Sequence, residues 1–233
     1  MEGPLAIVTG GTGALGSVIC SAFLNTGVRV AIPLRPGGHA PRLPGGTPPG
    51  MVFTAEAAID TEEGSRAFVR ALGERWGDAG ILVNGAGAYA GGEAIGELTG
   101  ETFEEMLSAN LRTAFYMSGA VLPAMRRRAS GRIVSIAAMA ALDPQPKRGA
   151  YAIAKRGVVT LTETIALETK GTGITANAIA PGIIVTPANR ASMPSADVAR
   201  WVTPEEIAAI ILFLCSADAR SVSGTVVKAY GGV

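Results

Sequence analysis

The sequence has little of what marks several functional classes of protein. Two cysteines and one histidine among 233 residues are too few for a disulfide framework or a Cys/His zinc site, so we predict no bound metal. Charged residues make up 17% of the chain and leave a net charge of +1, which gives no reason to expect nucleic acid or an anionic membrane as a partner. The cysteine usage is compatible with a reducing cytosol, and we expect a cytoplasmic protein.

The length and the hydrophobic content of 48% favour one α/β domain over residues 1–233. Short apolar runs alternate with segments of helical periodicity. This alternation predicts a single Rossmann-like, doubly wound parallel sheet of about seven strands, with helices on both faces. Ligands of such sheets bind at the carboxyl ends of the strands. The polar, Pro-interrupted segment 187–203 has the composition of a mobile substrate lid over that edge.

A glycine-rich turn follows the first predicted strand, which covers residues 5–8. Gly11, Gly13 and Gly16 form the pattern G-x-G-x-x-G, and an apolar helix continues to about Asn25. Glycines let the backbone approach a pyrophosphate, and the helix N-terminus offers unpaired N–H groups and a favourable dipole end to that anion. In this context the pattern indicates a dinucleotide site. The alternative is a plain glycine-rich turn.

The end of the second predicted strand, 28–32, bears on the choice of cofactor. In dinucleotide folds an Asp or Glu there binds the ribose 2′-hydroxyl, whereas a nearby Arg accommodates a 2′-phosphate. Here Arg35 follows the strand without an acid, which favours NADP(H) over NAD(H). Arg42 and His39 lie in the Pro- and Gly-rich segment 33–50, expected to be an irregular loop, and are further candidates to reach the 2′ position. The alternative is that Arg35 is a solvated loop residue.

Tyr151 and Lys155 are four residues apart near the start of a predicted helix over residues 150–169, so they lie on one face. A neighbouring ammonium stabilises a phenolate and lowers the pKa of a tyrosine from its usual value of about 10. A tyrosine tuned in this way can donate a proton to a carbonyl oxygen, or take one from an alcohol, near neutral pH. The alternative is a partly buried Tyr151 beside a solvated Lys155.

Two further segments complete the pattern. A predicted strand over 81–83 runs into Asn84-Gly-Ala-Gly87, where small residues let a ligand lie close to the backbone. A predicted helix extends from near Glu101 through Asn110 to about Arg128, and Pro123 is expected to kink or divide it. Asn is a poor helix former, and Asn110 taken alone would be expected to face water.

In their order and spacing, these motifs resemble the short-chain dehydrogenase/reductase family along the whole chain. The resemblance implies an NAD(P)(H)-dependent oxidoreductase that transfers hydride between nicotinamide and a small carbonyl, alcohol or imine substrate, as a homodimer or homotetramer. The matching residues are Thr9, Gly10, Ala14, Gly16, Asp60, Asn84, Ala86, Gly87, Asn110, Tyr151, Lys155, Pro181, Gly182 and Thr186.

The resemblance also implies a role for each matching residue. Tyr151 would be the general acid/base, Lys155 would lower its pKa and hold the nicotinamide ribose, and Asn110 would keep a water in the proton relay. Asp60 would meet the adenine amine. The other implied cofactor contacts are Gly10, Thr12, Gly13, Leu15 and Gly16 at the first turn, Arg35, Asn84, Ala86 and Gly87 around the adenosine, and Pro181, Gly182, Ile184 and Thr186 at the nicotinamide. The implied substrate contacts are Ala138, Gln145 and Tyr151.

The sequence departs from the family at one important position. The family usually has a serine that binds the substrate oxygen, and Ala138 stands there. Ser135 is an odd number of residues away along a strand, so it is expected on the other face. A subgroup that lacks this serine, quinonoid dihydropteridine reductase, resembles this chain over residues 140–143 and 186–197, although it prefers NADH. The missing serine also leaves open a catalytically weak dinucleotide-binding sensor or regulatory protein.

Overall fold

The computed structural model of the protein describes residues 4–39, 41 and 47–232. Seven parallel strands form one sheet in the order β3-β2-β1-β4-β5-β6-β7, which confirms the predicted doubly wound arrangement. The strands are β1 (Leu5–Thr9), β2 (Arg29–Leu34), β3 (Val52–Glu56), β4 (Ile81–Asn84), β5 (Gly131–Ile136), β6 (Ile174–Pro181) and β7 (Val226–Ala229).

Helices connect the strands. They are α1 (Ala14–Asn25), α2 (Glu62–Trp76), α3 (Gly100–Met106), α4 (Thr113–Arg128), α5 (Met139–Leu142), α6 (Gly149–Glu168), α7 (Pro187–Ser192) and α8 (Pro204–Cys215). A π-helical turn, Leu107–Arg112, joins α3 to α4, and a 3₁₀ turn, Val198–Arg200, precedes α8. In the described part of the chain, no helix combines the length and apolar character needed to cross a membrane.

The sheet is covered on both faces, as its near-continuous apolar strands require. Successive side chains of β1 point to opposite faces, so Val8 packs with α1 and α8 through Phe23 and Ile211. Its neighbour Ile7 packs on the other face with Phe68 of α2 and with residues of α4 and α6. Each face therefore has its own apolar core.

The chain order makes a crevice at the carboxyl edge of the sheet. β1 pairs with β2 on one side and with β4 on the other, so the connections that leave these strands diverge above them. Thr9 at the end of β1 is in register with Asn84 at the end of β4. A ligand of a doubly wound sheet binds at such a switch point.

The long helix predicted from Glu101 to Arg128 is interrupted at Leu107–Arg112 and not at Pro123. Pro123 lies inside α4, which is not divided there; its ring removes one hydrogen bond on the exposed side of the helix. The interruption is the π turn that contains Asn110, and π turns are frequent at functional sites. The expectation that Asn110 faces water is wrong, because its side chain is only 1% exposed.

Several predicted strand limits also move. β2 continues through Pro33 to Leu34, because Pro33 still pairs with β3, and β6 continues through Pro181. β3 and β7 are shorter than the predicted runs 51–59 and 223–230. After Leu34, the described residues up to 50 form neither helix nor strand, as predicted; Arg42 lies outside the described residues.

Candidate active site

Tyr151 and Lys155 occupy the first turns of α6, on the face that meets the end of β5. The Lys155 Nζ lies 6.0 Å from the centre of the Tyr151 ring. Lys155 is 5% exposed and donates a hydrogen bond of 2.8 Å to the Ile136 carbonyl oxygen. The alternative of a solvated lysine is therefore wrong. The hydrogen bond to Ile136 offsets part of the cost of burying the ammonium.

Burial controls the pKa of both side chains. Burial raises the pKa of Tyr151 to about 12, with a contribution from Tyr89 that Arg148 partly offsets. Burial lowers the pKa of Lys155 to about 8. The expected lowering of the Tyr151 pKa is thus wrong for the protein by itself. The physical reason is that Tyr151 packs in an apolar cluster with Ala150, while the Lys155 ammonium is bonded to the backbone of Ile136.

Asn110 is brought behind this pair by the π turn. Its Nδ2 donates hydrogen bonds of 3.0 Å to the carbonyl oxygens of Met106 and Ala88, so the amide is held from two sides. Its Oδ1 is buried and has no partner among the described residues. A methyl group placed on Gly87 would lie 2.6 Å from that oxygen and 3.2 Å from the Lys155 Nζ. The amide oxygen and the ammonium therefore lie close together, both next to Gly87.

The glycine-rich turn after β1 leaves its backbone open to a ligand. Gly10 has a φ of +70°, and a methyl group there would lie 2.7 Å from the Gly85 carbonyl oxygen. A methyl group on Gly16 would overlap the Gly10 carbonyl oxygen. Gly13 precedes α1 and gives its first turn no side-chain cap. Among the described residues, the amides of Ala14, Leu15 and Gly16 at the start of α1 have no partner. These amides, and the room that a Cβ would fill, fit the pyrophosphate of a dinucleotide.

Thr9 fixes this turn to the neighbouring loop. Its Oγ1 accepts hydrogen bonds of 3.0 Å from the amides of Gly85 and Ala86. It also donates one of 3.4 Å to the Val83 carbonyl oxygen. The loops after β1 and β4 are therefore joined at the crevice by one hydroxyl.

We expect Thr9→Val to lower the free energy of unfolding by about 2 kcal/mol, because two part-buried amides lose their acceptor. Thr164→Val is the matched control, since its hydroxyl donates to Thr160 on the exposed face of α6. That change should cost less than about 0.5 kcal/mol. Urea denaturation of both variants measures the difference, and equal losses would contradict the structural importance of the Thr9 contacts.

Three residues predicted to lie near the adenosine, Arg35, His39 and Asp60, follow the ends of β2 and β3. Arg35 is exposed, and no ion pair forms between it and the described residues. The Gly37 amide donates to Glu56 Oε1 at 3.2 Å, which ties the Arg35 turn to β3. Asp60 accepts a hydrogen bond of 2.7 Å from Ser108. His39 is also exposed on this loop.

Asn84 does not direct its side chain toward the crevice. Its side chain is 3% exposed, and its Nδ2 donates to the hydroxyls of Ser118 at 3.0 Å and Ser135 at 3.3 Å. Ser135 is thus committed to this buried group, and Ala138 lies beyond the end of β5, so the prediction about their faces stays a prediction. The main chain of Asn84 remains at the strand end, but its side chain braces β4 against β5 and α4.

The comparison with known proteins decides the family. Residues 4–197 match the family model described as short chain dehydrogenase. The chain belongs to this family. Its members named below are dehydrogenases and reductases, and the family uses a nicotinamide cofactor, NAD or NADP.

Three relatives with named activities are similar over nearly their whole length. D-beta-hydroxybutyrate dehydrogenase of Cupriavidus necator is 30% identical over 100% of this chain and 98% of that protein. Acetoacetyl-CoA reductase of Paracoccus denitrificans is 32% identical over 98% of this chain and 97% of that protein. The 3-oxoacyl-acyl-carrier-protein reductase MabA of Mycobacterium tuberculosis is 31% identical over 97% of this chain and 91% of that protein.

Ala138 stands where the short-chain dehydrogenase family usually has a serine. It is the N-cap residue of α5, makes no side-chain hydrogen bond there and is 8% exposed. Gln145, the other predicted substrate contact, lies exposed on the turn between α5 and α6. Tyr89, which sequence reasoning missed, contacts the Tyr151 ring. The available signal was its place two residues after Gly87, in the loop at the carboxyl end of β4.

The segment after β6 contains the predicted nicotinamide contacts and the predicted lid. Pro181 ends β6, and Ile184 forms a parallel bridge with Val202. The Thr186 hydroxyl accepts from the Asn189 amide at 3.2 Å and so begins α7. Residues 187–203 are therefore attached to the short-chain dehydrogenase core at both ends.

Proposed function

We propose that the protein transfers hydride between NADP(H) and a small carbonyl, alcohol or imine substrate, with Tyr151 as general acid/base. Family membership supports the hydride transfer. The proton transfer is supported by one observation: the buried Lys155 ammonium and the buried Asn110 amide oxygen both lie next to Gly87, and the ammonium is 6.0 Å from the centre of the Tyr151 ring. A protein that only bound a dinucleotide would gain little from burying an unpaired amide oxygen beside this lysine.

NADPH, when bound, supplies the hydride in the direction of reduction. Tyr151 donates its proton to the substrate oxygen or nitrogen as negative charge develops there. A pKa near 12 keeps its phenol protonated at neutral pH, which is the form that this step requires. Lys155, with a pKa near 8, is mostly charged at pH 7 and stabilises the phenolate that remains.

Asn110 and Lys155 are suited to returning the proton. Asn110 Oδ1, an acceptor without a partner among the described residues, and Lys155 Nζ, a donor, both lie next to Gly87. A water held between such groups can pass a proton toward the Tyr151 phenolate. Met106 and Ala88 hold the Asn110 amide, so that its oxygen lies next to Gly87.

The remaining predicted residues would hold the cofactor along the crevice. The turn of Gly10, Thr12, Gly13, Leu15 and Gly16 would bind the pyrophosphate, as its open backbone supports. Asp60, Ala86, Gly87 and the main chain of Asn84 would border the adenosine. Pro181, Gly182, Ile184 and Thr186 would border the nicotinamide, and segment 187–203 would cover it and the substrate.

Arg35 should determine the preference for NADP(H). Its exposed guanidinium can form a bidentate contact with a 2′-phosphate, which NAD(H) lacks. We expect Arg35→Ala to raise the Kd of NADPH about tenfold and to leave the Kd of NADH unchanged. Arg220→Ala, another exposed arginine, is the control. Fluorescence titration with each nucleotide measures the effect, and a wild type that binds NADH as tightly as NADPH would contradict it.

The three relatives indicate which substrates to try first. Hydroxybutyrate, acetoacetyl-CoA and 3-oxoacyl substrates all carry an oxygen on the third carbon of an acyl chain. Acetoacetyl-CoA is therefore the first carbonyl probe, and quinonoid dihydropterin is the imine probe suggested by Ala138. Oxidation of NADPH and NADH is followed with each, and turnover that depends on Tyr151 would establish the enzyme.

A second candidate is a catalytically weak dinucleotide-binding sensor, which Ala138 favours. Tight NADPH binding with no turnover on any carbonyl or imine probe would support it over the enzyme.

We also propose that residues 1–233 form one domain and that the protein is a homodimer or homotetramer. We propose further that it is cytoplasmic and has no nucleic-acid or membrane partner.

A further inference from the structure

Tyr89 is the neighbour of Tyr151 that the proposed function leaves without a role. The two ring centres are 5.0 Å apart, and the rings meet edge to face at 80°. Tyr89 nevertheless remains 59% exposed. It lies on the loop that follows β4, at the edge of the sheet where ligands of this fold bind. A ligand that reaches Tyr151 therefore has an exposed aromatic side chain beside it.

The Tyr89 side chain is held in this position by the loops around it. A methyl group on Gly91 would lie 2.6 Å from the Tyr89 hydroxyl and 3.0 Å from the Lys147 carbonyl oxygen, so glycine makes room for that hydroxyl. The Gly92 amide donates to the same Lys147 carbonyl at 2.8 Å. The loop that carries Tyr89 is thus fastened to the turn that precedes Tyr151.

The Tyr89 hydroxyl is available to a ligand. Within the described ranges, neither Tyr89 nor Tyr151 has a hydrogen-bond partner for its hydroxyl, whereas Tyr230 donates to Asp143 at 2.9 Å. Tyr89 also contributes to the raised pKa of Tyr151, which requires the two phenol groups to be close enough to interact. Two phenol groups therefore lie together at the crevice.

Because position 138 is an alanine, the hydrogen-bond donor that the family's serine offers to the reacting oxygen is missing there. A carbonyl oxygen that gains negative charge is stabilised by each positioned donor, and removing one can lower kcat by about a hundredfold or more. The methyl group of Ala138 offers no donor. Without another group, Tyr151 would have to stabilise and protonate the reacting oxygen alone.

We propose that Tyr89 supplies this second donor: its hydroxyl donates a hydrogen bond to the reacting oxygen or nitrogen of the substrate, in place of a hydroxyl at position 138. The Tyr89 proton stays on Tyr89, and Tyr151 alone transfers its proton. This inference rests on the proposed function, because it concerns the same substrate atom. It extends that function by naming a residue that sets which substrates are reduced.

The test compares Tyr89→Phe with the double variant Tyr89→Phe/Ala138→Ser, using NADPH with acetoacetyl-CoA and with quinonoid dihydropterin. We expect Tyr89→Phe, which keeps the ring, to lower kcat about tenfold with KM and the NADPH Kd within about twofold of wild type. A serine at position 138 should make Tyr89 redundant, so the double variant should be as fast as Ala138→Ser alone. Tyr116→Phe, whose ring contacts Phe115 on α4, is the matched control and should leave kcat unchanged.

The outcomes distinguish a failure of the proposed role of Tyr89 from a failure of the proposed function. If wild-type turnover requires Tyr151 but Tyr89→Phe has wild-type kcat, only the role of Tyr89 is overturned. A loss that appears in KM alone, or that Ala138→Ser does not rescue, would assign Tyr89 to packing and would also overturn it. If the wild type reduces neither probe, the proposed function fails and the inference fails with it.

Discussion

Replacing Tyr151 by phenylalanine is expected to lower kcat by about a thousandfold, because the variant has no group that can protonate the substrate oxygen. The ring would keep its packing against Tyr89 and the apolar cluster around Ala150, so the fold should be retained. The effect should fall on kcat and kcat/KM together, since the proton is transferred only in the transition state. The hydroxyl has no other hydrogen bond within the described residues whose loss would confuse the result.

Steady-state oxidation of NADPH with acetoacetyl-CoA and quinonoid dihydropterin measures this change. Fluorescence titration with NADPH and the thermal unfolding midpoint provide the controls, and both should stay close to wild type. A Tyr151→Phe variant that keeps most of its turnover would remove Tyr151 as the proton donor. The sensor interpretation would then become the better account of the arrangement behind it.

The fold was predictable because each of its causes is local in the sequence. The short apolar runs that become β1 and β4, bounded by turn residues, are typical of strands buried on both faces. Gly16 is required because a side chain there would overlap the Gly10 carbonyl oxygen of the same turn, and Gly10 has a positive φ that favours glycine. The Tyr151–Lys155 pair depends only on helical spacing, so it too could be predicted without knowing the sheet.

Other features depend on contacts between distant segments, which the sequence does not display. Whether Asn110 faces water or the core depends on a π turn, whose extra residue changes the direction of every side chain in it. The Asn84 side chain turns to Ser118 and Ser135 because β5 and α4 pack beside β4. The pKa of Tyr151 follows from its burial, which helical spacing cannot reveal.

The raised Tyr151 pKa changes what the proton donor requires. A phenol with a pKa near 12 releases its proton less readily than one tuned to neutrality, so it depends more on stabilisation of the charge that forms on the substrate. Lys155 acts on the phenolate side of this transfer. The substrate side depends on donors in the crevice, which makes position 138 the place where a single substitution has most to gain.

Ala138→Ser is expected to raise kcat on acetoacetyl-CoA by roughly tenfold, because it replaces the donor on the exposed Tyr89 with one at a buried position, where a hydrogen bond to the oxygen that gains negative charge is stronger. The side chain begins at the N-cap of α5, whose extended φ and ψ of −161° and 158° suit serine. The gain should be larger for the carbonyl probe than for quinonoid dihydropterin, whose reduction places the developing charge on nitrogen rather than oxygen.

Ala138→Cys is the matched control, because a thiol of similar size is a much weaker donor than a hydroxyl. It should show little of the gain in kcat. A gain caused by side-chain volume alone would appear in both variants. The measurement is kcat for the two variants and the wild type at saturating NADPH. Equal rates for Ala138→Ser and wild type would mean that the reacting oxygen does not approach position 138, and that substrate orientation in this protein depends on the loop of Tyr89 and not on the β5–α5 turn.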